Sequence, residues 1–239
     1  MRVSIVLATY NGGKYLYEQL TSIICQMDKD DELIISDDGP SDETIKIIEP
    51  FLKNSNTVLL SGPGMGVKAN FENGIRYSHG EIVLICDQDD IWFSNKLDTI
   101  KRVFQSNHDK VLVMHNADYI DGDGNKMNES IYGRRNGHTG YWKSIFFSSY
   151  YGCCMAIKRD FLMACLPFPS GVLYDQYLGA CAERIKKSLF INDILISHRE
   201  HLNNWSQKQS LANRVFYRFL LLQATFFKRN ELETYRGNQ

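Results

Sequence analysis

Asp87, Asp89 and Asp90 put three carboxylates within four positions, directly after the apolar run Ile82-Val83-Leu84-Ile85-Cys86. Such a run reads as a central strand covered on both faces of a parallel sheet. Open α/β sheets bind their ligands beyond the carboxyl ends of such strands. Asp87 and Asp89 alternate in strand geometry, so both side chains can point to one side. Two close carboxylates repel unless a cation or a proton lies between them, and oxygen donors suit Mg2+ or Mn2+. The competing reading is a solvated acidic turn that caps a helix beginning near Ser94.

Elements that would position this motif follow from the hydrophobic pattern. Val3 to Ala8 reads as a first strand, broken by Asn11-Gly12-Gly13, after which Leu16, Leu20, Ile23, Ile24 and Met27 recur at helical spacing. Glu32 to Ser36 reads as a second strand ending in Asp37-Asp38, and Ser41-Asp42 as the N-cap of a helix whose apolar face includes Ile45, Ile48 and Leu52. Thr57 to Leu60 gives a third strand, followed by the glycines Gly62, Gly64 and Gly66 and a helix carrying Phe71 and Ile75. Strands alternating with helices imply parallel βαβ crossovers. Thr9, Tyr10 and Asn11, Asp37 and Asp38, and Asp87, Gln88 and Asp89 would then share one ligand-binding edge.

The second half differs in texture. Leu97, Ile100, Val103 and Phe104 mark a helix, and Val111 to Met114 a strand. Asp121 to Tyr141 is polar and glycine-rich, longer than ordinary connections, and is expected to be a functional or mobile loop. Gly152 to Ile157 suggests another strand, Leu166-Pro167-Phe168-Pro169 a rigid turn, and Tyr174 to Lys187 a helix. Ser206 to Arg229 reads as an amphipathic, partly basic helix.

Composition narrows the function classes. With 44% hydrophobic residues and 12% aromatics, the 239-residue chain can build a substantial core. A formal charge of −1 leaves no electrostatic footprint for nucleic acid. The six cysteines show no CxxC spacing and mostly lie in apolar segments, which suits packing in a reducing cytosol. Val3 to Leu7 is too short for a signal peptide's apolar region, and no segment reaches the roughly 18 apolar residues of a membrane span.

Taken in order and spacing, three motifs resemble the family 2 glycosyltransferases: Ser4 to Gly12, Ser36-Asp37-Asp38-Gly39, and Asp87-Gln88-Asp89-Asp90-Ile91-Trp92. They are most similar to the rhamnosyltransferase-like members that build bacterial surface polysaccharides. Gly152 to Ile157, the Pro-x-Pro turn at Pro167 and Pro169, Tyr174 to Leu178, and Arg199-Glu200-His201 with Asn204 extend the likeness to about residue 205. Tyr174, Gln176 and Tyr177 stand where the rhamnosyltransferase-like pattern has His, Trp and Trp.

The resemblance implies a glycosyltransferase A fold, an α/β Rossmann-like sheet with helices on both faces. Residues 1–205 would form one domain, with 1–92 the nucleotide-binding half and 93–205 the acceptor-side half, followed by a helical extension over 206–239. It implies an inverting transfer from a nucleotide diphosphate sugar, UDP- or dTDP-linked, to a lipid-linked or oligosaccharide acceptor, with Mn2+ or Mg2+ as cofactor. Thr9, Tyr10, Asn11, Asp37, Asp38, Lys68, Asp87, Gln88 and Arg199 would bind the donor, Asp89 and His201 the metal, and Asp175 would be the base. A sugar-phosphate nucleotidyltransferase and a non-catalytic nucleotide-sugar-binding module are the alternatives. Asn11-Gly12-Gly13-Lys14 lacks the Gly-x-Gly and arginine-rich loop of the former. The last helix is expected either to lie on the inner face of the cell membrane or to pack on the domain or a second subunit.

Overall fold

A computed structural model describes residues 1–39, 41–54, 56–134, 139–147, 149–200 and 211–235. Strand β1 (Val3–Thr9) is buried along its whole length and leads into α1 (Leu16–Ile24), which buries Leu16, Gln19, Leu20 and Ile23 against the sheet. Each fully buried Leu or Ile contributes roughly 1.5–3 kcal/mol. Strand β2 (Glu32–Asp37) is likewise buried throughout. Ser41 caps α2 (Asp42–Ile48), its hydroxyl accepting from the Thr44 amide at 3.2 Å. Of the expected apolar face of this helix Ile48 is buried, whereas Ile45 and Leu52 lie at the surface, Leu52 in a short 3-10 turn (Glu49–Lys53).

Strand β3 (Thr57–Ser61), α3 (Val67–Tyr77) and β4 (Ile82–Cys86) complete the repeating unit. The order β3-β2-β1-β4 is parallel throughout, so the carboxyl ends of β1, β2 and β4 fall on one edge, as the alternation implied.

Beyond β4 the sheet becomes mixed. A two-residue β5 (Ile91–Trp92) precedes α4 (Lys96–Ser106), and β6 (Leu112–Ile120) runs well past the expected Met114. The expected loop after it holds structure: β7 (Lys126–Ser130) returns antiparallel to β6, and α5 (Ile131–Arg134) follows. After α6 (Tyr141–Phe146), a 3-10 turn (Gly152–Cys154) opens β8 (Met155–Lys158), a shorter strand than expected, inserted antiparallel between β4 and β6.

Helix α7 (Arg159–Ala164) and α8 (Tyr174–Arg184) are followed by β9 (Ser188–Arg199), a 12-residue strand that the hydrophobic pattern did not reveal. It pairs parallel with β6 and antiparallel with β5, opposing Ile91 to Ser197. That register carries His198 and Arg199 to the loop after β4. The chain's last described elements are α9 (Leu211–Phe227) and α10 (Arg229–Glu233). Among the described residues no helix is long and apolar enough to cross a membrane.

Candidate functional site

At the β1 and β2 ends, Thr9 lies opposite Asp37 in register, both nearly fully buried. Asp37 Oδ1 accepts from the Gly39 amide at 3.3 Å, whereas its Oδ2 is buried with no hydrogen-bond partner among the described residues. The same holds for Thr9 Oγ1 and Asn70 Oδ1, while Asn70 Nδ2 donates to the Thr9 and Ser36 carbonyls. Unsatisfied buried acceptors are costly unless something supplies a donor. Asp38 instead fixes the glycine turn, its two oxygens accepting from the Gly64 and Gly66 amides at 2.7 and 2.8 Å. Gly62 allows this close approach, since a Cβ there would come within 2.7 Å of Asn70 Oδ1 and 2.8 Å of the Asp37 carbonyl carbon.

The β4 end gathers the carboxylates. Burial, then the charges of Asp90, Asp89 and Asp175, push the Asp87 carboxyl up to about 8, against the opposing pull of His198. Two glutamines hold the loop's course. Gln88 Oε1 accepts from the Tyr10 amide at 3.0 Å and its Nε2 donates to the Tyr10 carbonyl at 3.3 Å, tying β1 to β4. Gln19 Nε2 donates to the Asp87 carbonyl at 3.2 Å.

Asp90 is fully buried, its Oδ1 accepting from His198 Nδ1 at 2.8 Å and from the Arg199 amide at 3.2 Å. This partnership holds Asp90 below the usual carboxylate range despite burial, and raises His198 well above the ordinary imidazole range. Lys96, also buried, donates to the Cys153 carbonyl at 3.0 Å and lies over the Trp92 ring.

Arg199, expected at the donor phosphates, sits behind this loop at 2% exposure. Its guanidinium donates to the Asp89 carbonyl, the Asp121 carbonyl and Glu18 Oε2 at 2.9, 3.3 and 2.8 Å, and stacks over Tyr15. A buried guanidinium needs such partners, and here they brace the backbone that carries Asp89.

Asp175 occupies the first turn of α8, where its Oδ1 accepts from the Gln176 amide at 2.7 Å. The preceding Tyr174 is wedged between Phe71 and Phe168, with ring centroids 5.1 and 5.7 Å away. The charge of Asp175 is felt at Asp87, where it adds to the rise of that carboxyl. On α9, Tyr217 is pushed up to about 12 by burial and by the Asp175 charge, and its hydroxyl accepts from the Leu173 amide.

Tyr10 and Asn11 lie exposed at the rim, Asn11 at φ 48. Lys68, expected near phosphate, donates to the Pro169 carbonyl at 2.7 Å and so links α3 to the turn before α8. His201 lies outside the described residues. Sequence reasoning gave no role to Asp90, His198 or Lys96. Asp90 stood in the quoted motif, but His198 belongs to the unrecognised β9, and no pattern marks Lys96 as a buried cation.

The carboxylates after β4, with Asp87 raised mainly by burial and then by its acidic neighbours, are oxygen donors of the kind a hard divalent cation takes.

Comparisons with known proteins agree with this layout. The family described as Glycosyl transferase family 2 matches residues 4–166. An uncharacterized glycosyltransferase of Nostoc sp. is 31% identical over 134 residues, 54% of this chain and 41% of that protein. The dTDP-rhamnosyl transferase RfbG of Shigella flexneri is 28% identical over 219 residues, 83% of this chain and 72% of that protein. This chain therefore spans about two fifths of the length of the Nostoc relative. The structure of S. aureus TarS 1–349 in complex with UDP-GlcNAc superposes with a TM-score of 0.71 over 98% of this chain and 71% of that chain, at 18% identity, a likeness of fold.

Proposed function

The chain belongs to glycosyl transferase family 2 and has a glycosyltransferase A-like fold, and from that premise we propose that it moves a sugar from a nucleotide diphosphate donor to a hydroxyl of a lipid-linked or oligosaccharide acceptor, with inversion. One observation carries the reading: burial, and then the charges of Asp90, Asp89 and Asp175, raise the Asp87 carboxyl to about 8. A diphosphate cannot approach such a cluster unless a cation lies between them. Mn2+ or Mg2+, held by Asp89 with Asp87 beside it, would when bound neutralise negative charge on the departing diphosphate. His201 is a further candidate ligand.

The remaining roles fall to the chain's own groups. Asp37 Oδ2, buried and without a partner among the described residues, suits the imide N–H of a uracil or thymine base. Thr9, Tyr10 and Asn11 would line that base, and Gln88 keeps Tyr10 in place through its backbone. Arg199 positions Asp89 rather than facing solvent. Asp175 would take the proton from the acceptor hydroxyl as its oxygen attacks the anomeric carbon opposite the diphosphate. A single displacement of this kind inverts the centre.

The dTDP-rhamnosyl relative and the UDP-GlcNAc-bound neighbour support pyrimidine nucleotide donors. Exposed Val215, Phe216, Phe219, Phe226 and Phe227 on α9 support peripheral attachment to the inner membrane face, where a lipid-linked acceptor would lie. The test is a donor panel of UDP-, dTDP- and GDP-sugars with Mn2+, scored by nucleotide diphosphate release. Release from a UDP- or dTDP-sugar that needs the cation is expected, and no release from any donor with any acceptor would refute transfer.

A further inference from the structure

Asp90, Cys153 and His198 bring an oxygen, a sulfur and a nitrogen atom within 4.8 Å of one another. They arrive from three separate elements: the residue ahead of β5, the 3-10 turn that opens β8, and the end of β9. His198 Nδ1 lies 2.8 Å from Asp90 Oδ1 and 3.8 Å from Cys153 Sγ. Zinc bonds of about 2.0–2.3 Å at tetrahedral angles would space such atoms roughly 3.3–3.6 Å apart. The two sides that meet at His198 lie within about half an ångström of that spacing, and the third, from Asp90 to Cys153, is no longer than 4.8 Å.

A second, independent feature points to a ligand. Asp90 Oδ2 is buried and has no hydrogen-bond partner among the described residues, an acceptor left over on a carboxylate whose other oxygen already accepts twice. The triad is also preorganised. The imidazole stands edge-on to the Tyr119 and Tyr151 rings, with centroids at 5.7 and 6.4 Å, and Lys96 holds the Cys153 carbonyl at 3.0 Å. Asp90 and Cys153 are buried while the His198 side chain is 19% exposed, so the histidine side offers the approach from solvent.

We propose that Asp90, Cys153 and His198 form a binding site for a thiophilic divalent cation, zinc above all, separate from the oxygen-donor position at Asp87 and Asp89. Thiolate with imidazole selects zinc or cobalt(II) over magnesium and manganese. On binding, the Cys153 thiol and the His198 Nδ1 each release a proton to solvent, and their lone pairs, with a carboxylate oxygen of Asp90, form three bonds to the metal. Water takes the fourth position. Because Asp90 follows Asp89 directly, an ion here would restrain the loop that carries Asp89. The inference does not depend on the transfer reaction proposed above.

Cobalt(II), added alone to the full chain in saturating Mg2+, reads the site by absorption. The expected result is a near-ultraviolet sulfur-to-cobalt band with intense visible bands of four-coordinate geometry, saturating at one equivalent and displaced by Zn2+. Cys153→Ala should lose the sulfur band, and the near-isosteric Cys153→Ser gives the same reading should the alanine variant fold poorly. His198→Ala should weaken cobalt binding by about tenfold or more. Asp89→Asn and Cys25→Ala, the latter removing an exposed thiol, should retain the full spectrum. No sulfur band in the wild type, its survival in both Cys153 variants, or its loss in Asp89→Asn or Cys25→Ala would overturn the proposal.

Discussion

Burial and the charges of Asp90 and Asp89 push Asp87 up to about 8 against an ordinary value of 3.8, so its carboxyl stays protonated in the folded chain across neutral pH. The unfolded chain gives up that proton near pH 4, and the folded state therefore binds more protons between about pH 4 and 8. This group's contribution to stability is full below pH 4 and is lost as pH rises through about 8. A cation entering the cluster must displace the proton, so Mn2+ affinity should climb by up to about tenfold per unit from pH 6 to 8 and then level off. Calorimetry in two buffers of different ionisation enthalpy would reveal the released proton. A flat affinity profile would mean that Asp87 does not face the cation. The sequence pattern alone supplied the carboxylates but not their division of labour. Asp37 and Asp38 look equivalent as neighbours, and the glycine turn folding back onto Asp38 leaves Asp37 the one with an oxygen that has no partner among the described residues.

Among elements, the contact between the 3-10 turn and α8 sets the position of Asp175. A Cβ on Gly152 would meet the Tyr174 ring, with Cζ at 2.8 Å and the hydroxyl closer still. Gly152→Ala should therefore displace Tyr174, costing about 1–3 kcal/mol as overpacking, and should slow transfer by moving the adjacent Asp175. Thermal melts of Gly152→Ala and of Gly152→Ala with Tyr174→Phe check this, since removing the hydroxyl should recover part of the loss. Equal melts for all three proteins would contradict it.

The parallel half of the sheet was legible because β1, β2 and β4 carry the apolar runs Ile5 to Ala8, Leu33 to Ile35 and Ile82 to Cys86, with turn residues following them. Strand β9 was not, and its pairing explains why: Phe190 opposes Met114 but Ile194 opposes Asn116, so Asn192 and Asp193 fall in a bulge that breaks the period of two. Strand β7 escaped notice because Lys126 to Glu129 are exposed and pair along one edge only, giving no apolar alternation to detect.

For the whole molecule, α9 presents two faces of different character. Leu221, Thr225 and, on α10, Leu232 are buried, and Lys228 donates to the Ala164 and Leu166 carbonyls, so one face docks on the domain. The opposite face leaves Phe216, Phe219 and Phe227 between 61% and 72% exposed. Replacing these three by Ser should abolish co-sedimentation with anionic liposomes while leaving the melting temperature within a few degrees. No sedimentation by the folded wild type, with a shift to dimer on sizing, would assign that face to a second copy instead. The proposal that joins the two ends of the molecule is the opposition of Asp175 to the carboxylates after β4. Asp175→Asn, assayed with Mn2+ and the responding donor, tests it most directly. Donor affinity by calorimetry should stay within about twofold of wild type, while the transfer rate falls by about 10² to 10⁴. A rate within a few-fold of wild type would contradict the account and leave Asp175 a first-turn residue of α8 and nothing more.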